Sequence, residues 1–202
     1  MRYVVALLSI PALCVLQALA APPAAGGQVT IVFRFDGPSS NQSVQEMKRE
    51  VDAIMQDSGV RVNWRNRNDL RPTESFPNLV VVTFHGKCVM EPVPFLYDER
   101  GPLAFTNTSD GDVLPFSEIA CDRVRSSVRS AMWGGDFARS DLLFGRALAR
   151  VLAHELYHML AGTDSHADTG IAKRALSGSE LISDQLRLNQ AELNRIHSGA
   201  SH

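Results

Sequence analysis

The pentapeptide His154-Glu155-Leu156-Tyr157-His158 constrains this chain of 202 residues more than any other stretch. On a helix of about 3.6 residues per turn, His154 and His158 lie one turn apart on the same face, where two imidazoles can bind one metal ion. Glu155 is rotated about 100° from His154 around the helix, which places it to hold a water molecule beside the ion rather than to bind the ion. The spacing therefore predicts a metal site on one face of a helix.

The helix that carries this motif is predicted to span residues 140–161. Ser140 is a suitable N-cap, and Gly162 is suited to the left-handed conformation that ends a helix and turns the chain. The residues on the same side as the histidines are apolar: Phe144, Ala147 and Val151. The opposite side carries Arg146, Arg150 and Tyr157. We therefore expect the histidines to point into the protein, where imidazoles need a hydrogen-bond partner or a metal.

Composition and charge limit the class of protein. A content of 45% hydrophobic residues fits one ordinary globular domain, and a formal net charge of −2 gives no sign of nucleic-acid or membrane-surface binding. Local groups of arginines, such as Arg123, Arg125 and Arg129, are interpreted as solvated faces. Oligomeric state does not follow from these properties.

The first 20 residues are predicted to be a secretory signal peptide. Arg2 precedes an apolar run over 3–19, which ends in the small-residue pattern Ala18-Leu19-Ala20. Pro11 interrupts the run, and its length is marginal for a membrane span. We expect a secreted or periplasmic protein whose single domain, residues 21–202, has no stable membrane anchor after signal cleavage.

Two cysteines, Cys88 and Cys121, remain once the predicted signal peptide with Cys14 is removed. An even pair in an exported protein favours one disulfide bond. Neither residue has a second cysteine or a histidine at metal-ligand spacing. We therefore predict a structural bridge that clamps two segments of the sheet.

Five short segments rich in β-branched and aromatic residues are predicted to be strands. They are 28–35, 60–64, 78–85, 103–106 and 113–119. Pro115 favours an edge or a bulge in the last of these, and His85, at the end of the third, is expected to be a hydrogen-bonded structural residue. A capping-box pattern at Ser43 predicts a helix up to Gly59, and one at Ser177 predicts a C-terminal helix that extends past Ile196. The chain is thus predicted to be α+β, with one mixed sheet of about five strands and a small C-terminal helical subdomain over 162–202.

A catalytic zinc ion typically has three protein ligands and one open position, so a third ligand must follow the motif. Asp164 and His166 both follow the predicted turn at Gly162. The pattern resembles that of the metzincin zinc endopeptidases, in which H-E-x-x-H precedes a glycine turn and a third ligand. In the usual metzincin register this chain has Ala161 in place of the glycine and Asp164 as the ligand.

The tract 154–170 more closely resembles short exported bacterial proteins related to matrixins and adamalysins, whose pattern is H-E-x-G-H-x-L-x-G-x-x-x-H-x-x-x-G. In that register Gly162, His166 and Gly170 all match. The resemblance implies a metzincin-like fold, one catalytic Zn²⁺ held by His154, His158 and His166, and Glu155 as general base. It also implies a peptide or protein substrate bound along an edge strand, either 103–106 or 113–119.

The sequence departs from the metzincin pattern beneath the zinc. Ala172 stands at the expected position of a methionine, and no methionine follows Met159. An alternative function is therefore a non-catalytic domain that binds zinc or a protein partner. Glu155 argues against it, because a purely structural zinc site needs no base.

Overall fold

A five-stranded sheet and the helices around it make up the described part of the chain. The structure is a computed structural model and describes residues 27–91 and 101–199. The strands are β1 (Gln28–Phe35), β2 (Arg61–Asn66), β3 (Leu79–His85), β4 (Ala104–Ser109) and β5 (Asp112–Ala120). The α-helices are α1 (Asn41–Gln56), α2 (Cys121–Ala131), α3 (Ser140–Ala161), α4 (Gly178–Ile182) and α5 (Gln190–Gly199). The predicted signal peptide lies outside the described residues.

The sheet is mixed and mostly parallel. Its strand order is β2-β1-β3-β5-β4, and only β4, at one edge, runs antiparallel to its neighbour. All five predicted strands are present; β1 has the predicted bounds, and the bounds of the others shift by at most three residues. The mixed sheet and its helices are compatible with the predicted α+β class.

Pro115 lies where the β4–β5 ladder is irregular. Thr106 pairs with Ser117 and Thr108 pairs with Val113, with a register shift between the two pairs. The pairing of β5 with β3 begins only at Phe116. The proline therefore sits at a bulge, as predicted, where its missing N–H costs no regular ladder bond. The strand β5 itself is interior, and β4 is the edge strand.

The hydrophobic core lies between the sheet and helices α1, α2 and α3. It includes alternate residues of β1 and β3 and the apolar faces of these three helices, such as Ile31, Val82, Met47, Val124 and Leu148. Helix α2 was not predicted, because its arginines dominated the local pattern. Arg125 and Arg129 are not simply solvated, since they donate to the main-chain oxygens of Lys87 and Glu91.

The side of α3 opposite the histidines is buried as well, and Arg150 lies on it. Its guanidinium is fully buried and donates to the oxygens of Glu180 and Leu181 in α4, at 2.9 and 2.8 Å. It also donates to Oε1 of Glu50 in α1, at 3.2 Å. Burial lowers the pKa of Arg150 to about 10, so it remains charged at neutral pH.

The same side of α3 also buries Tyr157. The hydroxyl of Tyr157 accepts a hydrogen bond of 2.8 Å from Arg195 in α5. Arg146 is partly covered as well, since it donates to the oxygen of Ile182 and pairs with Asp184. The C-terminal segment therefore covers the face of α3 that carries Arg146, Arg150 and Tyr157.

Several helix ends differ from the prediction. Helix α1 begins before Ser43 because Ser40 is its N-cap, while the Ser43 hydroxyl is buried and donates to the Asp141 oxygen at 2.9 Å. Helix α3 begins at Ser140, with Arg139 rather than Ser140 as N-cap. The capping box of Ser177 and Glu180 is confirmed. The predicted C-terminal helix, however, is divided into α4 and α5 by residues 183–189.

The predicted disulfide bond between Cys88 and Cys121 is present, with the two Cα atoms 5.0 Å apart. Cys88 follows β3, and Cys121 is the first residue of α2. The bond therefore joins the sheet to a helix rather than two segments of the sheet. Within residues 27–91 and 101–199, no helix has both the length and the apolarity needed to cross a bilayer.

Replacement of Arg150 by methionine is expected to lower the free energy of unfolding by about 3 to 5 kcal/mol, because it leaves the Glu50 carboxylate buried without its main partner. Urea denaturation monitored by circular dichroism measures this change. Arg187→Met is the matched control, since Arg187 reaches the same carboxylate from a half-exposed position, and we expect it to cost about 1 kcal/mol or less. Equal losses in the two variants would contradict the role given to Arg150.

Candidate metal centre

Three imidazoles meet at the end of helix α3. His154 and His158 lie one turn apart, and their Nε2 atoms are 3.1 Å from each other. Gly162 ends the helix with a φ of 58°, in the left-handed region, as predicted. The chain then turns back and brings His166 to the pair, so that one ligand atom from each of the three residues lies within 4.8 Å of the others.

The hydrogen bonds of the imidazoles determine where their protons lie. Nδ1 of His154 is 2.8 Å from the oxygen of Ile171, and Nδ1 of His158 is 2.7 Å from the oxygen of Thr163. A carbonyl oxygen can only accept, so each Nδ1 carries the proton. In the neutral rings both Nε2 atoms then present lone pairs to each other, and a cation between them would relieve their repulsion. This donor set fits a zinc ion, for which neutral imidazole is a common ligand.

Burial keeps these imidazoles neutral. Burial is the largest of the effects that together lower the pKa of His154 to about 4; His158 and His166 act in the same direction, and the Ile171 hydrogen bond opposes them. Burial also lowers the pKa values of His158 and His166. The three rings are therefore in the form that binds metal at neutral pH, and none has to lose a proton first.

Asp164, the other candidate third ligand, is not a member of the histidine cluster. It lines the same cavity, and its negative charge partly opposes the lowering of the His158 and His166 pKa values. The geometry thus places His166, and not Asp164, with the first two histidines.

Glu155 lies beside the cluster and is only 5% exposed. Its Oε2 accepts a hydrogen bond of 2.6 Å from the hydroxyl of Thr106 in β4. Burial raises the pKa of Glu155 to about 7, and the Thr106 hydrogen bond opposes that rise. Sequence reasoning did not find Thr106 as a site residue, because one threonine in a predicted strand carries no local signal.

A cavity of about 540 Å³ connects these groups. The histidines and Glu155 form one wall, and residues of the edge strand β4 form another. Its remaining lining includes the apolar residues Leu103, Val151 and Leu176 and the basic residues Lys173 and Arg174. The cavity can therefore hold an elongated molecule between the edge of the sheet and the histidine cluster.

His85 takes no part in this cluster. Its Nδ1 lies 2.7 Å from Asp36, and its Nε2 lies 3.2 Å from Glu118. Both are contacts at ion-pair distance, and Nε2 makes no hydrogen bond. They fit the prediction that His85 lies outside the metal site, but the predicted hydrogen bonding is not seen at Nε2.

Comparisons of the sequence with protein-family models and with curated proteins find no match. The resemblance to metzincins therefore rests on the motif and its spacing and stays a prediction.

In the metal-free protein at pH 7, His154 and His158 are expected to be neutral with the proton on Nδ1, because each Nδ1 faces a carbonyl oxygen and burial lowers both pKa values. Long-range ¹H–¹⁵N correlation spectra of the rings report this directly. His197 is the internal control, since its Nε2 lies 3.0 Å from the Ser58 oxygen and should carry a proton. A proton on Nε2 of either His154 or His158 would contradict this arrangement.

Proposed function

We propose that this protein is an exported zinc-dependent endopeptidase of the metzincin type. One observation carries the proposal. The Nε2 atoms of His154 and His158 lie 3.1 Å apart, His166 lies beside them, and the buried carboxylate of Glu155 lines the same cavity. Each Nδ1 is already occupied by a carbonyl oxygen, so the Nε2 lone pairs have no other evident role. A purely structural zinc site would not need Glu155 in the same cavity.

The residues that would hold the ion are His154, His158 and His166. Three neutral imidazoles leave one coordination position open, as catalytic zinc sites require. When bound, the zinc ion supplies a Lewis acid that polarises a carbonyl group and lowers the pKa of water. The carbonyl oxygens of Ile171 and Thr163 fix the orientation of two of the rings and make their Nε2 atoms more basic.

Glu155 is proposed to be the general base. It would take a proton from the attacking water and pass it to the nitrogen of the leaving amine. A pKa near 7 suits both transfers, because the carboxylate accepts the proton and releases it again within one reaction. The hydroxyl of Thr106 would orient the carboxylate by donating to Oε2.

The proposed substrate is a peptide or protein segment in extended conformation. Among the described residues β4 is the edge strand and has a strand neighbour on one side only, whereas β5 is paired on both sides; residues of β4 also line the cavity. A peptide can add to such an edge through main-chain hydrogen bonds. This favours the segment that includes 103–106 over 113–119 as the substrate-binding strand.

One set of variants, made in the protein of residues 21–202, tests the role of the zinc ligands separately from the role of the base. Glu155→Gln is expected to keep about one zinc per chain but to lose hydrolysis of quenched peptides by roughly 10² to 10⁴-fold, because only the base is removed. His166→Ala should lose both zinc and activity, whereas Asp164→Ala should keep both. Metal content by mass spectrometry and fluorescence assays over a broad peptide panel measure these outcomes.

Two results would contradict the proposal in different ways. A wild-type protein that binds zinc but cleaves no peptide would support the alternative, a non-catalytic zinc-binding or protein-binding domain. A wild-type protein that binds no zinc would exclude both the peptidase and the zinc-binding domain, and would leave only a domain that binds a protein partner.

Thr106→Val is expected to move the acid limb of the pH–rate profile to higher pH. The Thr106 hydroxyl stabilises the charged form of Glu155 and so lowers its pKa; its removal raises that pKa, and the base is then populated only at higher pH. Profiles of kcat/KM for wild type and variant measure the shift. Thr108→Val, in the same strand and lining the same cavity, is the control and should leave the limb in place.

A further inference from the structure

The turn beneath His154 is closed by hydrogen bonds within the chain. Ile171 and Ala172 are fully buried, and the oxygen of Ile171 is the one that accepts from Nδ1 of His154. The N–H of Ala167, the residue after His166, donates to the oxygen of Ala172 at 2.9 Å. Two of the three histidines therefore depend on the position of the same short segment.

Glu192, in helix α5, binds this turn with one carboxylate oxygen. Oε1 accepts from the N–H of Ala172 at 2.8 Å, and Oε2 accepts from the N–H of Asn189 at 2.7 Å. The N–H of Glu192 in turn donates to the Asn189 side chain at 3.0 Å. The reciprocal bonds with Asn189 form a capping box at the start of α5. That box uses only Oε2, so Oε1 is available for the turn.

Asn189 and Glu192 also lie against two residues that precede the turn, Thr169 and Gly170. The side-chain amide of Asn189 donates to the oxygen of Thr169 at 2.9 Å. Gly170 has a φ of 84°, and a Cβ at this position would lie 2.6 Å from Oε2 of Glu192. Glycine is therefore required here both by its backbone conformation and by the closeness of the carboxylate.

The burial of Glu192 exceeds what helix capping alone requires. Its side chain is 1% exposed, whereas Glu180, in the capping box of α4, is about one-third exposed. Burial of a carboxylate costs free energy unless hydrogen bonds compensate it. Here the compensation comes from the N–H groups of Asn189 and Ala172, and the second of these belongs to the turn under the histidines.

We propose that Glu192 is a positioning residue of the metal centre, an inference that rests on the proposed zinc site. By holding the N–H of Ala172, Glu192 sets the position of the Ile171 carbonyl, which orients the imidazole of His154. Ala172 stands where the metzincin resemblance places a methionine. In this chain the turn is supported through the main chain of Ala172 rather than through its side chain.

Glu192→Ala is expected to weaken zinc binding by about 10- to 100-fold, the usual effect of removing a group that orients a metal ligand. Competition with a chromophoric chelator measures the affinity. The visible spectrum of the Co²⁺-loaded protein reports the ligand geometry and should change as well. Glu192→Gln keeps one oxygen that can accept from the N–H of Ala172 or of Asn189, so we expect a smaller loss of zinc affinity. This variant tests the inference if Glu192→Ala does not fold.

Ile196→Val is the matched control, because Ile196 is buried in α5 but its side chain makes no hydrogen bond to the turn. It should lower the melting temperature but leave zinc affinity and the Co²⁺ spectrum unchanged. Folded Glu192 variants with wild-type affinity and spectrum would overturn this inference alone. A wild-type protein that binds no zinc would overturn the proposed function together with it.

Discussion

Burial of helix α3 on nearly all sides is the constraint on which the rest of the structure depends. The sheet and α1 cover one side, and the C-terminal segment covers the other, so each polar side chain on α3 needs a partner inside the protein. Arg150 finds carbonyl oxygens of α4 and the carboxylate of Glu50, and Glu155 finds the hydroxyl of Thr106. The lone pairs on the Nε2 atoms of His154 and His158 have no such partner, and a cation would supply one.

The C-terminal segment contributes both to the stability of the protein and to the position of the histidines. Helix α4 supplies two carbonyl oxygens that neutralise part of the buried charge of Arg150, and α5 holds the turn that contacts His154. The turn and the helix that covers it are therefore parts of one hydrogen-bonded unit. Loss of the Glu192 carboxylate, rather than looser packing of α5, is therefore the change expected to reach the proposed metal site through this turn.

Burial acts in opposite directions on the pKa values of the two kinds of ionisable group in the cavity. It lowers the pKa of His154 to about 4 and raises the pKa of Glu155 to about 7. Both shifts favour the neutral form of the side chain. A neutral histidine can bind a metal ion. A neutral glutamic acid carries the proton that the proposed base would accept and release. One cavity thus brings together three neutral imidazoles, a buried carboxylate and residues of the edge strand, which are the groups that the proposed function needs.

Local patterns in the sequence determined the five strands, helix α3 with its left-handed C-terminal residue Gly162, and the capping box of α4. Each of these depends on residues close together in the chain. The disulfide bond followed from the number of cysteines left after removal of the predicted signal peptide. The tertiary structure alone decided which face of α3 is covered and where the C-terminal helix breaks. It also decided that Thr106 donates to Glu155 and that Glu192 accepts from the turn beneath His154. The contacts responsible join residues 49 apart for Thr106 and Glu155, and 100 apart for Glu50 and Arg150. Helical and strand periodicity report which residues share a face, but only the packing of distant segments determines what lies against that face.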